Sequence, residues 1–175
     1  MKTKHLVISL AVAVLASACQ PQQPPDSRIA ALAERQAIDQ LVAGDYPRAL
    51  DASDWDAYVA TYTEDGELLL QGVTSKGRTA IKSFLAAQPA GPRINHVITN
   101  LSYKIDGDTA TGGAYWQDIG NVNGAPGVIV AGHYDDALRK VNGAWKFTKR
   151  SIVIDHPPAG GVPAATVPGE STGKP

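Results

Sequence analysis

The chain has 175 residues, with 16 Lys+Arg against 17 Asp+Glu and a formal charge of −1. No basic stripe runs through it, which argues against nucleic acid as a partner. Its single cysteine, Cys19, excludes an internal disulfide, so a domain here must hold itself together by its core.

Residues 1–18 read as a secretory signal: Lys2 and Lys4, then an uncharged apolar run from Leu6 to Ala18. That run is too short for a comfortable permanent membrane span. Leu15-Ala16-Ser17-Ala18-Cys19 resembles a lipoprotein signal, with Cys19 as the lipid-bearing first residue. Ala16 departs from the aliphatic residue usual three places before the cysteine. The expected location is a membrane lipoprotein facing the periplasm; ordinary Sec cleavage would instead leave a soluble periplasmic protein with a free thiol. Residues 19–27, rich in Pro and Gln, read as a tether, and 157–175, rich in Pro and Gly, as a disordered tail. Residues 28–156 are long enough for one domain with a real core.

Within that domain helices come first. Ile29, Leu32, Ala33, Ile38, Leu41 and Val42 recur at helical spacing, and Pro47 predicts a kink or local bulge. Ser53 reads as the cap of a second helix through Trp55, Tyr58, Val59 and Tyr62, stopped by Asp65-Gly66. Leu68 to Leu70 is a short buried strand, and Gly77 to Ala87 a third helix. Strands follow over 93–105, 109–119, 128–141 and 144–154, with turns at Asp106-Gly107-Asp108, around Asn121 to Gly124, and at Asn142-Gly143. The layout is α+β: a cone-shaped, curved, mainly antiparallel sheet with about three N-terminal helices packed on its concave face.

Two residues carry the candidate chemistry. His96 shares a strand face with Ile94 and Ile98, and Asp51 stands where one helix stops and another starts. If the fold joins them over an apolar pocket, they make an acid/base pair needing neither metal nor cofactor. The plain alternatives are a satisfied core histidine and a simple helix stop. Asp54 reads as an aid to the next helix start. His133 with Asp135 lacks a third metal ligand, His156 borders the tail, and Trp55, Trp116 and Trp145 read as apolar anchors. No phosphate loop, CxxC, HExxH or Gly-x-Ser-x-Gly occurs, so zinc and nucleophilic hydrolysis are poor expectations.

From Ile29 to Ile154 the chain resembles the SnoaL-like branch of the nuclear-transport-factor-two fold. The matching pieces are Asp51-x-x-Asp54-Trp55, Tyr62-x-x-Asp65-Gly66, Gly77-Arg78-x-x-Ile81, His96-x-x-x-Asn100, Asp106-Gly107-Asp108-x-Ala110, Gly132-x-Tyr134-x-Asp136-x-Leu138 and Gly143-x-Trp145-Lys146-Phe147. The pair is most similar to that of scytalone dehydratase and hexachlorocyclohexane dehydrochlorinase. This implies His96 as base and Asp51 as its orienting partner. Where the scytalone enzyme has a second histidine, this chain has about Tyr115, which sets that particular reaction apart. Tyr46, Tyr115, Tyr134 and Asn100 are the expected lining, with no cofactor and no metal. The function so implied is a lyase or isomerase acting on a small apolar or aromatic molecule. A ligand-binding lipoprotein and a dimerising module with a vestigial pocket stay open, and the resemblance implies a homodimer.

Overall fold

The computed structural model describes residues 27–88 and 94–158. The signal, Cys19, the tether up to residue 26 and the tail beyond Pro158 lie outside the described residues.

Helix α1, Ser27–Gln40, runs directly into a π-helical turn, Leu41–Asp45, and then into α2, Tyr46–Asp51. Pro47 explains the wide turn. It has no N–H to donate, and its ring would press on the carbonyl four residues back. The turn opens instead, and the Tyr46 N–H reaches the Leu41 carbonyl five residues away. One inserted residue rotates everything after it by about 100°. Tyr46 and Pro47 are thereby buried, and the end of α2 is directed at the sheet.

Only the second half of α1 is core. Ile38 is buried, whereas Ile29 and Leu32 are exposed, so the apolar stripe expected from Ile29 onward packs from its later turns alone. Polar contacts tie α1 down: Arg35 Nη2 donates to the Leu101 carbonyl at 2.6 Å, and Glu34 accepts from Trp145 Nε1 at 2.8 Å.

The next helix, α3, is shorter than its pattern predicts, Trp55–Ala60. Asp54, not Ser53, is its cap, accepting from the Ala57 N–H at 3.0 Å. Ser53 has φ 53° and makes the bend between helices. Tyr62 belongs to strand β1, Tyr62–Leu70, because the Phe147 N–H captures the Thr61 carbonyl and draws the chain into the sheet. Asp65-Gly66 lies within that strand and ends no helix. A hairpin through Gln71-Gly72 adds β2, Val73–Lys76, which the pattern did not reveal. Helix α4, Arg78–Ala86, follows Gly77, whose φ of 81° suits glycine.

Strands β3 (Asn95–Asp106), β4 (Thr109–Val122), β5 (Ala125–Val141) and β6 (Ala144–His156) form the expected meander. The sheet order is β2-β1-β6-β5-β4-β3, with β1 parallel to β6 and the other pairings antiparallel. Register shifts interrupt every pairing except the short β1–β2 hairpin, and such bulges curl a sheet. The α+β architecture, helices on one face of a curved open sheet, is therefore as expected.

Beneath the helices lies a fully buried ion pair. Arg150 on β6 donates to both carboxylate oxygens of Asp136 on β5, at 2.9 and 2.7 Å. Tyr103 donates to the same carboxylate at 2.5 Å. The guanidinium lies against the rings of Tyr46, Tyr134 and Phe147, 3.9 to 4.1 Å from their centroids. Burial opposes this charge, but Asp136 and the surrounding hydroxyls hold Arg150 firmly protonated. Removing one partner strands the other: Asp136→Ala is expected to cost about 3–5 kcal/mol in urea denaturation. A cost under about 1 kcal/mol would show that the pair does not organise the core.

Candidate active site

Asp51 is the last residue of α2, and His96 is the second residue of β3. Their side chains meet, His96 Nδ1 lying 2.6 Å from Asp51 Oδ1. The same oxygen accepts the His96 backbone N–H at 3.1 Å, and Asp51 Oδ2 accepts from Asn95 Nδ2 at 3.1 Å. Burial alone would raise the Asp51 carboxyl. The hydrogen bonds from the His96 ring, Asn95 and the His96 backbone outweigh it and hold that carboxyl below its ordinary value. An ionised Asp51 accepts a hydrogen bond from Nδ1–H, which leaves the Nε2 lone pair facing the other way.

Nε2 faces Asp118 of β4, whose Oδ1 is 3.3 Å away. Asp118 is buried, and burial pushes its carboxyl up; His96 offsets this in part, while the Asp51 charge adds to it. One imidazole thus lies between two carboxyl groups driven in opposite directions.

Both His96 and Asp118 line a cavity of about 340 Å³ between the helices and the sheet. Its walls are largely apolar, with Leu50, Leu70, Leu85, Ile129, Val130, Ile152 and Ile154. Trp116 stacks on Tyr134 along one side, at 5.9 Å between centroids. Tyr46, Tyr58 and Tyr134 supply hydroxyls, and Tyr58 donates to Tyr46 at 3.0 Å. Burial raises the Tyr58 and Tyr134 hydroxyls well above their ordinary value, so both remain donors.

The structure brings Asp51, His96, Tyr46 and Tyr134 to one place. It puts Tyr115 and Asn100 elsewhere, a correction with one cause. Counting back from the Asp106–Thr109 turn, an unbroken hairpin would set Ile119 against His96, and Tyr115 against Asn100 on the same face. A bulge between Thr99 and Ser102, with Asn100 at φ 53°, slips the register by one, and Asp118 comes to face His96. Such a slip turns alternate side chains to the opposite face. Tyr115 is 57 % exposed and, with Asn100, borders a shallow depression beside His133. Asp118, Asn95 and the Arg150–Asp136 pair went unread as site residues. Asp118 had a signal, as an acid two positions from Trp116 within a strand, but not one that reveals its face.

His133 makes a second pair, Nδ1 to Asp155 Oδ2 at 2.8 Å, on the outer side of the sheet. Among the described residues, no group of three or more His, Cys, Asp and Glu side chains is placed to hold a metal ion. No helix among them is long and apolar enough to cross a membrane.

Residues 30–151 match the family model of the SnoaL-like domain. The chain belongs to the SnoaL-like family. Rv3472 of Mycobacterium tuberculosis, a protein of unknown function, is similar at 27 % identity and TM-score 0.68, over 74 % of this chain and 76 % of that one. LinA is similar at 25 % identity and TM-score 0.67, over 81 % of this chain and 99 % of its own. A putative scytalone dehydratase from Novosphingobium aromaticivorans DSM 12444 shares the fold, at 24 % identity and TM-score 0.66, over 82 % and 99 %. No curated protein matches the chain.

Among these SnoaL-like residues Asp118 yields a signed expectation. Its carboxyl is raised in the folded chain. Its contribution to stability is therefore complete below the ordinary aspartate value, about 3.9, and is lost as pH climbs through the raised one. Urea denaturation from about pH 4 to about pH 8 should show the wild type losing stability relative to Asp118→Asn. A pH-independent difference would mean that Asp118 ionises as readily folded as unfolded.

Proposed function

We propose that this SnoaL-like protein is a cofactor-independent lyase or isomerase using His96 as general base. The observation that carries this reading is the 2.6 Å contact between His96 Nδ1 and Asp51, beside a largely apolar cavity that Nε2 borders. An imidazole titrates near neutrality, so Nε2 can take a proton from a carbon next to a carbonyl and later give it back. Asp51 holds the ring and stabilises the imidazolium, as the acid of a serine-protease triad does. Charge then develops on the carbonyl oxygen, and the buried hydroxyls of Tyr134 and Tyr46 are the donors available to it. A cavity of about 340 Å³ suits a small apolar or aromatic molecule.

The location belongs to the same proposal. The basic start, the apolar run and Cys19 support a lipid anchor that holds the domain on the periplasmic side of a membrane.

A panel of aromatic and steroid-like ketones in deuterated water tests the chemistry, with exchange beside the carbonyl followed by NMR. Wild type should accelerate exchange for some members, and His96→Asn should lower that rate about 10²–10⁴-fold. Undiminished exchange in the variant removes His96 from the mechanism. Binding without exchange in both proteins would favour a carrier.

A further inference from the structure

We propose that Asp118 is a second catalytic residue, the acid that protonates a departing oxygen, so that the substrate is a β-hydroxy carbonyl compound losing water. This rests on the reading of His96 as base.

The site holds two carboxyl groups and one imidazole. Asp51 is satisfied by the His96 ring, the His96 backbone and Asn95. Asp118 has no such support. Its Oδ1 is buried without a hydrogen-bond partner of good geometry, and the ring nitrogen at 3.3 Å is its ionic neighbour. The other titratable groups of the cavity are the hydroxyls of Tyr46, Tyr58 and Tyr134, and Asp51 adds like charge from behind the ring. Burial and the charge of Asp51 favour the protonated form of Asp118, whereas the hydrogen bonds that Asp51 accepts favour its own ionised form.

That is the state an elimination needs. A neutral Nε2 takes the hydrogen beside the carbonyl, and the C–H electron pair becomes the new C=C bond. The C–O bond breaks with its pair on oxygen, and the Asp118 proton turns that oxygen into water. The imidazolium then returns its proton to the Asp118 carboxylate across 3.3 Å, and the site is reset. The substrate loses one water, and nothing is oxidised or reduced.

Two consequences follow from the spacing. Base and acid border the cavity as direct cross-strand neighbours, so both address the same side of the substrate and the elimination is syn. Chloride leaves without a proton, whereas hydroxide does not, so a donor at this position is useful only for an oxygen leaving group.

Two measurements test this. The first compares a β-hydroxy aryl ketone with its β-chloro counterpart. Asp118→Asn should cost about 10²-fold or more with the hydroxy ketone and less than a tenth of that loss with the chloro ketone, whereas His96→Asn should suppress both. Equal losses for Asp118→Asn on the two substrates overturn the assignment. A wild type that eliminates chloride but never water overturns it too, while leaving His96 as base. The second follows the Asp118 side-chain carboxyl carbon by NMR, in labelled wild-type protein without substrate. It should titrate above the ordinary aspartate range; titration within or below that range removes the acid whatever the substrate. If wild type converts neither ketone and exchanges no proton from the wider panel, the proposed function falls, and the acid role with it.

Discussion

A single inserted residue in β3 decides what this cavity contains. Asn100, at φ 53°, sits in a bulge that puts two residues of β3 opposite one of β4. On its N-terminal side His96 and Ile98 face inward, and on its C-terminal side Leu101, Tyr103 and Ile105 do so. Without the slip His96 would pair with Ile119 and turn outward, leaving Asp118 on the inner face with Trp116 and no imidazole opposite it. Asparagine tolerates the left-handed conformation better than most residues, which suits it to this position.

The Arg150–Asp136 pair has a complementary role. It places a permanent charge under the tyrosine cluster without exposing it, because both partners are fully buried and matched in a bidentate contact. The rings of Tyr46 and Tyr134 rest on that guanidinium, which fixes their planes and presents them to the cavity. Polar groups are thus gathered at the tyrosine floor and at the His96–Asp118 wall, with aliphatic residues between them. A ligand entering such a space is oriented by its oxygens and held by its hydrocarbon.

The helix side is constrained just as tightly. Pro47 forces the π-helical turn, the turn buries Tyr46, and α2 ends one turn later at Asp51. The bend at Ser53 and the cap at Asp54 let the chain leave immediately, so the Asp51 carboxylate projects from a helix end toward β3. Its contact with the start of β3 joins the two halves of the site across 45 residues.

Much of this was legible from residue types alone. Helical spacing, Asn-Gly turns and strand alternation predicted the α+β layout, Pro47 predicted the bulge in the helix, and the motif order pointed to the SnoaL-like family. His96 and Asp51 stood out because each broke its local pattern, a histidine within an apolar strand and an acid at a helix end. The lining was less legible. Tyr115 and Asn100 follow the face of His96 only if β3 and β4 pair without interruption, and nothing local announces where a bulge will fall. Asp118 and Arg150 read as ordinary strand residues, since alternation tells which neighbours share a face but not which face is buried. The chain by itself determined most of the elements and their order, because those rest on contacts between near neighbours, and it offered Asp51 and His96 as candidates through their residue chemistry and the family resemblance. Only the tertiary structure decided register, and with it which carboxyl group faces the imidazole, because a one-residue slip between strands costs little locally and reverses every side chain beyond it.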